Sequence, residues 1–263
     1  MDVTMKYLKL STVIALFSLL NACSVQYGQD RQQMDIYILM GQSNMVGRDT
    51  ATLSLQVDDN RILALNEQDF WQVARDPIHK KTGRTEPGIG PGIPFARTML
   101  DLGNSAPIGL VPTAVGGSSL RRWVKGGGLY VAALERIRQA GKHGRIKGVL
   151  WHQGESDSDK QINAETHGTR LTGMFKDLRA DLGMPELPIV VGEMGYFLEP
   201  EKFPFASEVR NALRTAAEAL QCVKFVDAKG LDHKGDQLHF SASSTVELGE
   251  RFARAMFTMQ CGE

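Results

Sequence analysis

The chain has 263 residues, with 30 basic and 30 acidic side chains and a formal net charge of zero. That balance leaves no positive surplus to hold a phosphate backbone, so nucleic acid is not an expected partner. The length suits one α/β domain with a sizeable core.

Lys6 and Lys9 precede the apolar stretch 10–20, and the small-residue site Leu20-Asn21-Ala22-Cys23 follows. A basic start, a short apolar run and a cleavage site describe an export signal. The run falls well short of the roughly 20 apolar residues that a membrane span needs. Leu-x-Ala-Cys resembles the bacterial lipoprotein processing signal. The resemblance implies cleavage before Cys23, a lipid on its sulfur, and a protein anchored in the outer membrane facing the periplasm or cell surface. A plain secretory signal would instead leave it periplasmic or secreted. Residues 1–22 are read as the signal, 23–33 as a polar tether and 34–263 as a single domain. Losing Asp2, Lys6 and Lys9 with the leader leaves a net charge of −1.

Residues 34–40, M-D-I-Y-I-L-M, form a short apolar and β-branched run that predicts a buried strand. Gly41-Gln42-Ser43-Asn44 then breaks it. A serine there caps a helix, or sits on a tight strand-to-helix turn with its hydroxyl held out as a nucleophile. Residues 61–65 fit a strand, whereas 76–92, rich in Gly, Pro and charge, predict a long loop suited to one wall of a groove. A helix follows over 95–102, started near Pro94. The strand 107–115 ends in Gly116-Gly117-Ser118-Ser119, and a helix is expected over 129–140.

The strand 146–151 is closed by His152-Gln153-Gly154-Glu155-Ser156-Asp157. The helix 162–182 carries Leu171, Met174, Phe175 and Leu178 at 3-4 spacing. A strand at 188–192, an amphipathic helix through Phe205, Val209, Leu213 and Leu220, a strand at 223–227 and a last helix over 244–259 complete the chain. Strands alternating with such helices predict an α/β fold in three layers. Its sheet is expected to be parallel and five-stranded, with strands at Ile36, Ile108, Val149, Val190 and Phe225. Cys222 and Cys261 fit either a disulfide or two independent thiols, since spacing does not decide between them.

Ligand sites in open α/β sheets lie beyond the carboxyl ends of the strands, and the glycine-rich and polar clusters fall there. Serine chemistry needs a base in reach of the hydroxyl and a carboxylate to orient the base. Asp236 and His239, three residues apart in one loop, supply both for Ser43. Oxyanion donors are expected from the Ser43 N–H, the N–H of Gly116 or Gly117 and the Gln153 amide. Gly41 is expected where a Cβ would collide. His152 and Trp151 read as structural residues, and Arg48, Arg121, Arg122 and Trp123 as groove candidates. His233 lies near Asp236 and His239, but no third histidine has ligand spacing, so no metal is expected.

G-Q-S-N-M-x-G, G-G-[ST]-S, W-H-Q-G-E-S-D and the late D-x-x-H resemble the four signature blocks of the SGNH hydrolase superfamily. More narrowly, they resemble its sialate O-acetylesterase-like branch, which includes carbohydrate esterase family six and its acetylxylan esterases. The match runs from Ile36 to Phe240. It implies a flavodoxin-like sheet, a Ser43–His239–Asp236 triad, and a glycine near Gly117 with Gln153 in the oxyanion hole, Gln153 standing where the wider superfamily has asparagine. Asn44 supports the first block, and Glu155 is expected to support Gln153 or an arginine rather than to assist the histidine. The implied activity is release of acetate from an acetylated sugar, either a xylan-type oligosaccharide or an O-acetylated sialic acid, without cofactor or metal. A lipase- or thioesterase-like enzyme and a non-catalytic, lipid-anchored glycan-binding protein are the alternatives.

Overall fold

In the computed structural model, the residues described are 33–50, 58–82 and 86–259. The leader, Cys23 with the tether up to residue 32, and Cys261 lie outside them. The first strand sets the frame. β1 (Met34–Gly41) is buried along its whole length, and its alternating side chains feed two separate cores. Ile36, Ile38 and Met40 face one side, while Tyr37 and Leu39 face the other. This two-sided burial is why the strand reads as a continuous apolar run.

Around β1 the chain builds α1 (Ser43–Val46), β2 (Ile62–Leu65), β3 (Trp71–Val73), α2 (Gly92–Asp101), β4 (Ile108–Pro112) and α3 (Gly128–Ala140). Then come β5 (Gly144–His152), α4 (Gln161–Leu182), β6 (Ile189–Gly192), α5 (Ala206–Glu218), β7 (Val223–Val226) and α6 (Ala242–Phe257). The sheet order is β3-β2-β4-β1-β5-β6-β7. β1 therefore lies at its centre, with parallel partners on both sides. Helices α3, α4 and α5 cover the core of Ile36 and Trp151, and α2 and α6 cover that of Tyr37 and Leu39. Helices thus pack on both faces of the sheet.

The expected sheet of five parallel strands is corrected to seven strands of mixed direction. The five expected strands are present as β1, β4, β5, β6 and β7. β2 adds to the free edge of β4 in parallel, and β3 pairs antiparallel with β2. With only three residues, β3 is too short for alternation to reveal it. A tight turn makes it, in which the Asn66 side chain accepts the N–H groups of Gln68 and Phe70 and Asp69 takes φ 60°.

Local chemistry closes the elements. Gly183 ends α4 in the left-handed conformation, and the Ser241 hydroxyl caps α6 by accepting the Ser244 N–H. Near the end of α4, the buried Arg179 guanidinium donates to the carbonyls of Leu187, Gln221 and Cys222. It thereby pins the segments that enter β6 and β7. Cys222 is disulfide-bonded. Among the described residues no helix is long and apolar enough to cross a membrane.

Gly249 governs how closely α6 approaches α2, because a Cβ there would lie 2.5 Å from the Pro91 carbonyl oxygen. Overpacking at such a contact costs roughly 1–3 kcal/mol. Gly249→Ala is expected to lower the unfolding midpoint by about 2–4 °C per kcal/mol lost, read by thermal denaturation.

Candidate active site

β1 ends against β5 more closely than any side chain would permit. Gly41 has φ 130°, and a Cβ on it would sit 2.0 Å from the His152 carbonyl oxygen. That same carbonyl accepts the Gln42 N–H at 2.9 Å, while the Gln42 carbonyl accepts the N–H groups of Met45 and Val46. The chain is thereby turned into the single helical turn α1, with Ser43 at its first position. A serine at the start of a four-residue turn projects from the carboxyl edge of the sheet, where such folds hold their ligands.

The loop before α6 meets it there. His239 Nε2 lies 3.0 Å from Ser43 Oγ, and His239 Nδ1 lies 2.8 Å from Asp236 Oδ2. The other Asp236 oxygen accepts the N–H groups of Leu238 and His239. One carboxylate therefore shapes the loop and orients the ring it carries. Burial works to raise the Asp236 carboxyl, but the His239 and Leu238 N–H groups, the His239 ring and its charge outweigh burial and hold it at about 2. An ionised Asp236 accepts a hydrogen bond from Nδ1–H of His239, which leaves Nε2 unprotonated and able to accept from Ser43. His233 supports the loop from below, its Nδ1 accepting the N–H groups of Gly235 and Gln237. Among the described residues no group of three or more His, Cys, Asp or Glu is arranged to hold a metal ion.

Asn44 ties this loop to two strand ends. Its Nδ2 donates to Glu155 Oε1 at 2.6 Å and to the Leu238 carbonyl at 3.2 Å, and its Oδ1 accepts the Phe240 N–H at 3.1 Å. Glu155 therefore bonds to Asn44, not to Gln153 or an arginine. His152 is wholly buried, contacts the Glu193 carbonyl through Nε2 and packs edge-on against Phe240. Burial lowers its pKa, which keeps it neutral, and its place is structural.

A cavity of about 330 Å³ opens over Ser43 and His239, with Gln42, Arg48, Thr82, Gly116, Gly117, Glu155 and Ser156 in its wall. The N–H groups of Ser43, Gly116 and Gly117 have no partner among the described residues. Gly117 takes φ 66°, and Gly116 leaves the space that the Arg48 guanidinium fills. A larger cavity of about 730 Å³ runs alongside and shares Thr82 and Gly116. His79, Lys80, Arg122 and Arg136 line it together with one carboxylate, Glu67.

Several expected site residues sit elsewhere. Trp123 is 0 % exposed, donates from Nε1 to Ser118 Oγ and packs edge-on against Trp151. Its ring belongs to the core, so Trp123 is not a groove residue. Arg122 borders the larger cavity rather than the one over Ser43. Gln153 is fully buried behind Gln42, and its Nε2 donates to Asp157 Oδ2, Gln42 Oε1 and the Ser118 carbonyl. Gln42, Thr82 and Ser156, which do line the cavity, were not singled out from the sequence. For Gln42 the signal lay within G-Q-S-N itself, immediately before the serine.

A family model described as carbohydrate esterase, sialic acid-specific acetylesterase, matches residues 33–258. A probable carbohydrate esterase of Arabidopsis thaliana is 33% identical over 267 residues, covering 90% of this chain and 98% of the relative. The crystal structure of an Arabidopsis thaliana protein aligns with a TM-score of 0.77 at 34% identity, over 86% of this chain and 98% of that one. NanS aligns with a TM-score of 0.70 at 19% identity, over 86% of this chain and 97% of that one, which is a likeness of fold.

Two outcomes follow from this geometry. Asn44→Ala leaves the buried Glu155 carboxylate and the Phe240 N–H short of a partner, each at a cost of about 1–3 kcal/mol. Urea denaturation should show that loss as a lower midpoint with an unchanged slope. Asp236 has a folded value below its ordinary 3.8, so its ionised form stabilises the fold above that pH, and the contribution fades as pH falls through about 2. The difference in melting temperature between the parent and Asp236→Asn should close as pH is lowered from about 5 toward 2.

Proposed function

The chain belongs to the carbohydrate esterase, sialic acid-specific acetylesterase family, and from that premise we propose that it releases acetate from an O-acetylated sugar with Ser43 as nucleophile. Family membership makes it a hydrolase of carbohydrate esters and sets aside a non-catalytic binding protein. The observation that carries the finer reading is the Ser43–His239–Asp236 relay, with spacings of 3.0 and 2.8 Å, open to one cavity.

In this mechanism His239 Nε2 takes the hydroxyl proton as Ser43 Oγ attacks the acetyl carbonyl carbon. The carbonyl oxygen becomes an oxyanion facing the free N–H groups of Ser43, Gly116 and Gly117. Collapse of the tetrahedral intermediate breaks the bond to the sugar oxygen, which leaves with the proton from His239. Water then gives a proton to His239 and attacks the acetyl-enzyme, and acetate departs as Ser43 regains its proton. Asp236 holds the ring and stabilises its charged form while the proton resides there.

The sugar we propose is one that carries a carboxylate, such as an O-acetylated sialic acid. Arg48 beside Ser43, and Lys80 and Arg122 along the adjoining cavity, give that side of the site a cationic lining. The same charged walls disfavour a long acyl chain, which sets a lipase-like reading behind an acetylesterase. Export through the signal before Cys23, with a lipid on that cysteine, belongs to the same proposal and rests on the sequence alone.

The test is acetate release by the parent and by Ser43→Ala from an O-acetylated sialic acid, an acetylated xylooligosaccharide and 4-nitrophenyl acetate. The parent should act on all or some of the three, with the sialic acid preferred, and the variant should be slower by at least about 10³-fold. Equal rates for parent and variant would end the serine mechanism. Preference for the neutral xylooligosaccharide would end the case for an anionic sugar.

A further inference from the structure

Gln42 stands between the nucleophile and the buried Gln153, and the hydrogen bonds around the pair are directional. Gln42 Oε1 accepts the Ser156 backbone N–H at 3.3 Å and Gln153 Nε2 at 3.2 Å. A backbone N–H can only donate, so the atom facing Ser156 is the amide oxygen, and Nε2 is the other end of the group. Gln153 is fixed in the same way, since the Ser118 carbonyl and the Asp157 carboxylate can only accept from its nitrogen. Its two N–H bonds are shared among three acceptors within the protein, and none remains for a ligand.

Gln42 Nε2, by contrast, has no partner among the described residues, and Gln42 lines the cavity over Ser43 whereas Gln153 does not. Its main chain is held at both ends, by the His152 carbonyl on its N–H and by Met45 and Val46 on its carbonyl. The side chain is 2 % exposed and its oxygen is gripped by two donors. A donor fixed in this way needs no reorganisation when charge develops, which is what stabilises an oxyanion.

We propose that Gln42 supplies the side-chain amide donor to the oxyanion, and that Gln153 is a positioning residue that acts through it. The inference rests on the serine mechanism proposed for Ser43. It moves the side-chain donor from the third signature block to the first, one residue before the nucleophile. Gln153 and Asp157 then form a buried support that holds the Gln42 oxygen back and its nitrogen forward. The three main-chain N–H groups and this amide together surround the position of the reacting carbonyl oxygen.

The experiment measures kcat and KM on 4-nitrophenyl acetate for the full chain and for Ser43→Ala, Gln42→Ala, Gln42→Glu, Gln153→Ala and the Gln42→Ala/Gln153→Ala pair. Loss of one oxyanion donor lowers kcat by roughly 10²–10³-fold, and KM should stay within about threefold. Gln42→Glu keeps the size and the acceptor for Gln153 and Ser156 but turns an oxygen toward the oxyanion. It should therefore be at least as slow as Gln42→Ala, while a merely structural role would let it recover most of the parent rate. Gln153→Ala should cost less, and its cost should vanish in the Gln42→Ala background. A kcat for Gln42→Ala within tenfold of the parent, near-parental activity of Gln42→Glu, or a Gln153 effect that persists undiminished in the pair would each overturn the proposal. Ser43→Ala separates the two levels: if it keeps the parent rate the serine mechanism fails, and if it alone is inactive only the Gln42 inference fails.

Discussion

The site depends on one side chain more than on any other contact, the amide of Asn44. Two of its atoms reach two segments that the chain delivers separately: the β5 exit at Glu155 and the loop on either side of His239. Ser43 is anchored by the main chain of β1, and His239 rides on a loop with no strand of its own. A hydrogen bond of 3.0 Å between them persists only if that loop has a fixed address. Asn44, adjacent to Ser43, supplies the address by bonding to Leu238 and Phe240 on both flanks of the histidine. Its partner Glu155 is almost entirely buried, so the bond to Asn44 is also what makes a carboxylate tolerable there.

Beneath this contact, close packing of the backbone does the positioning. Gly41 and Gly249 each let another chain segment approach to a distance that excludes a side chain. At Gly41 the result is a direct bond from the Gln42 N–H to β5, which ties the Ser43 turn to the third signature block. Polar groups in the same layer are neutral or bonded, as His152 and Gln153 illustrate. Two buried carboxylates there, Glu155 and Asp157, are held by Asn44 and Gln153, and further charge stands where the loop of Asp236 meets solvent and where Arg48 enters the cavity.

Much of this was legible in the sequence because the signals were long or local. A strand buried on both faces is an unbroken apolar run, and 34–40 shows it; Leu171 to Leu178 mark their helix by spacing alone. Asp236 and His239 lie three apart, so a single tight loop brings them together. What escaped was whatever depends on direction in space. β3 has too few residues for a period, and Trp123 in a glycine-rich loop looks like a platform until its indole is found against Trp151. For two glutamines, Gln42 and Gln153, pattern supplies an amide but not the direction in which it points. That choice is made by the Ser156 N–H and the Ser118 carbonyl, which no motif records.

Ser43 and His239 lie 196 positions apart, toward opposite ends of the described chain. A polypeptide made from its amino terminus presents Ser43 well before His239, with α6 after both. Until the closing loop has emerged and bonded to Asn44, the Ser43 hydroxyl lacks its histidine partner. The order of synthesis therefore acts as a timer, and the Ser43–His239 contact closes only after the chain spanning those 196 positions has been made and folded.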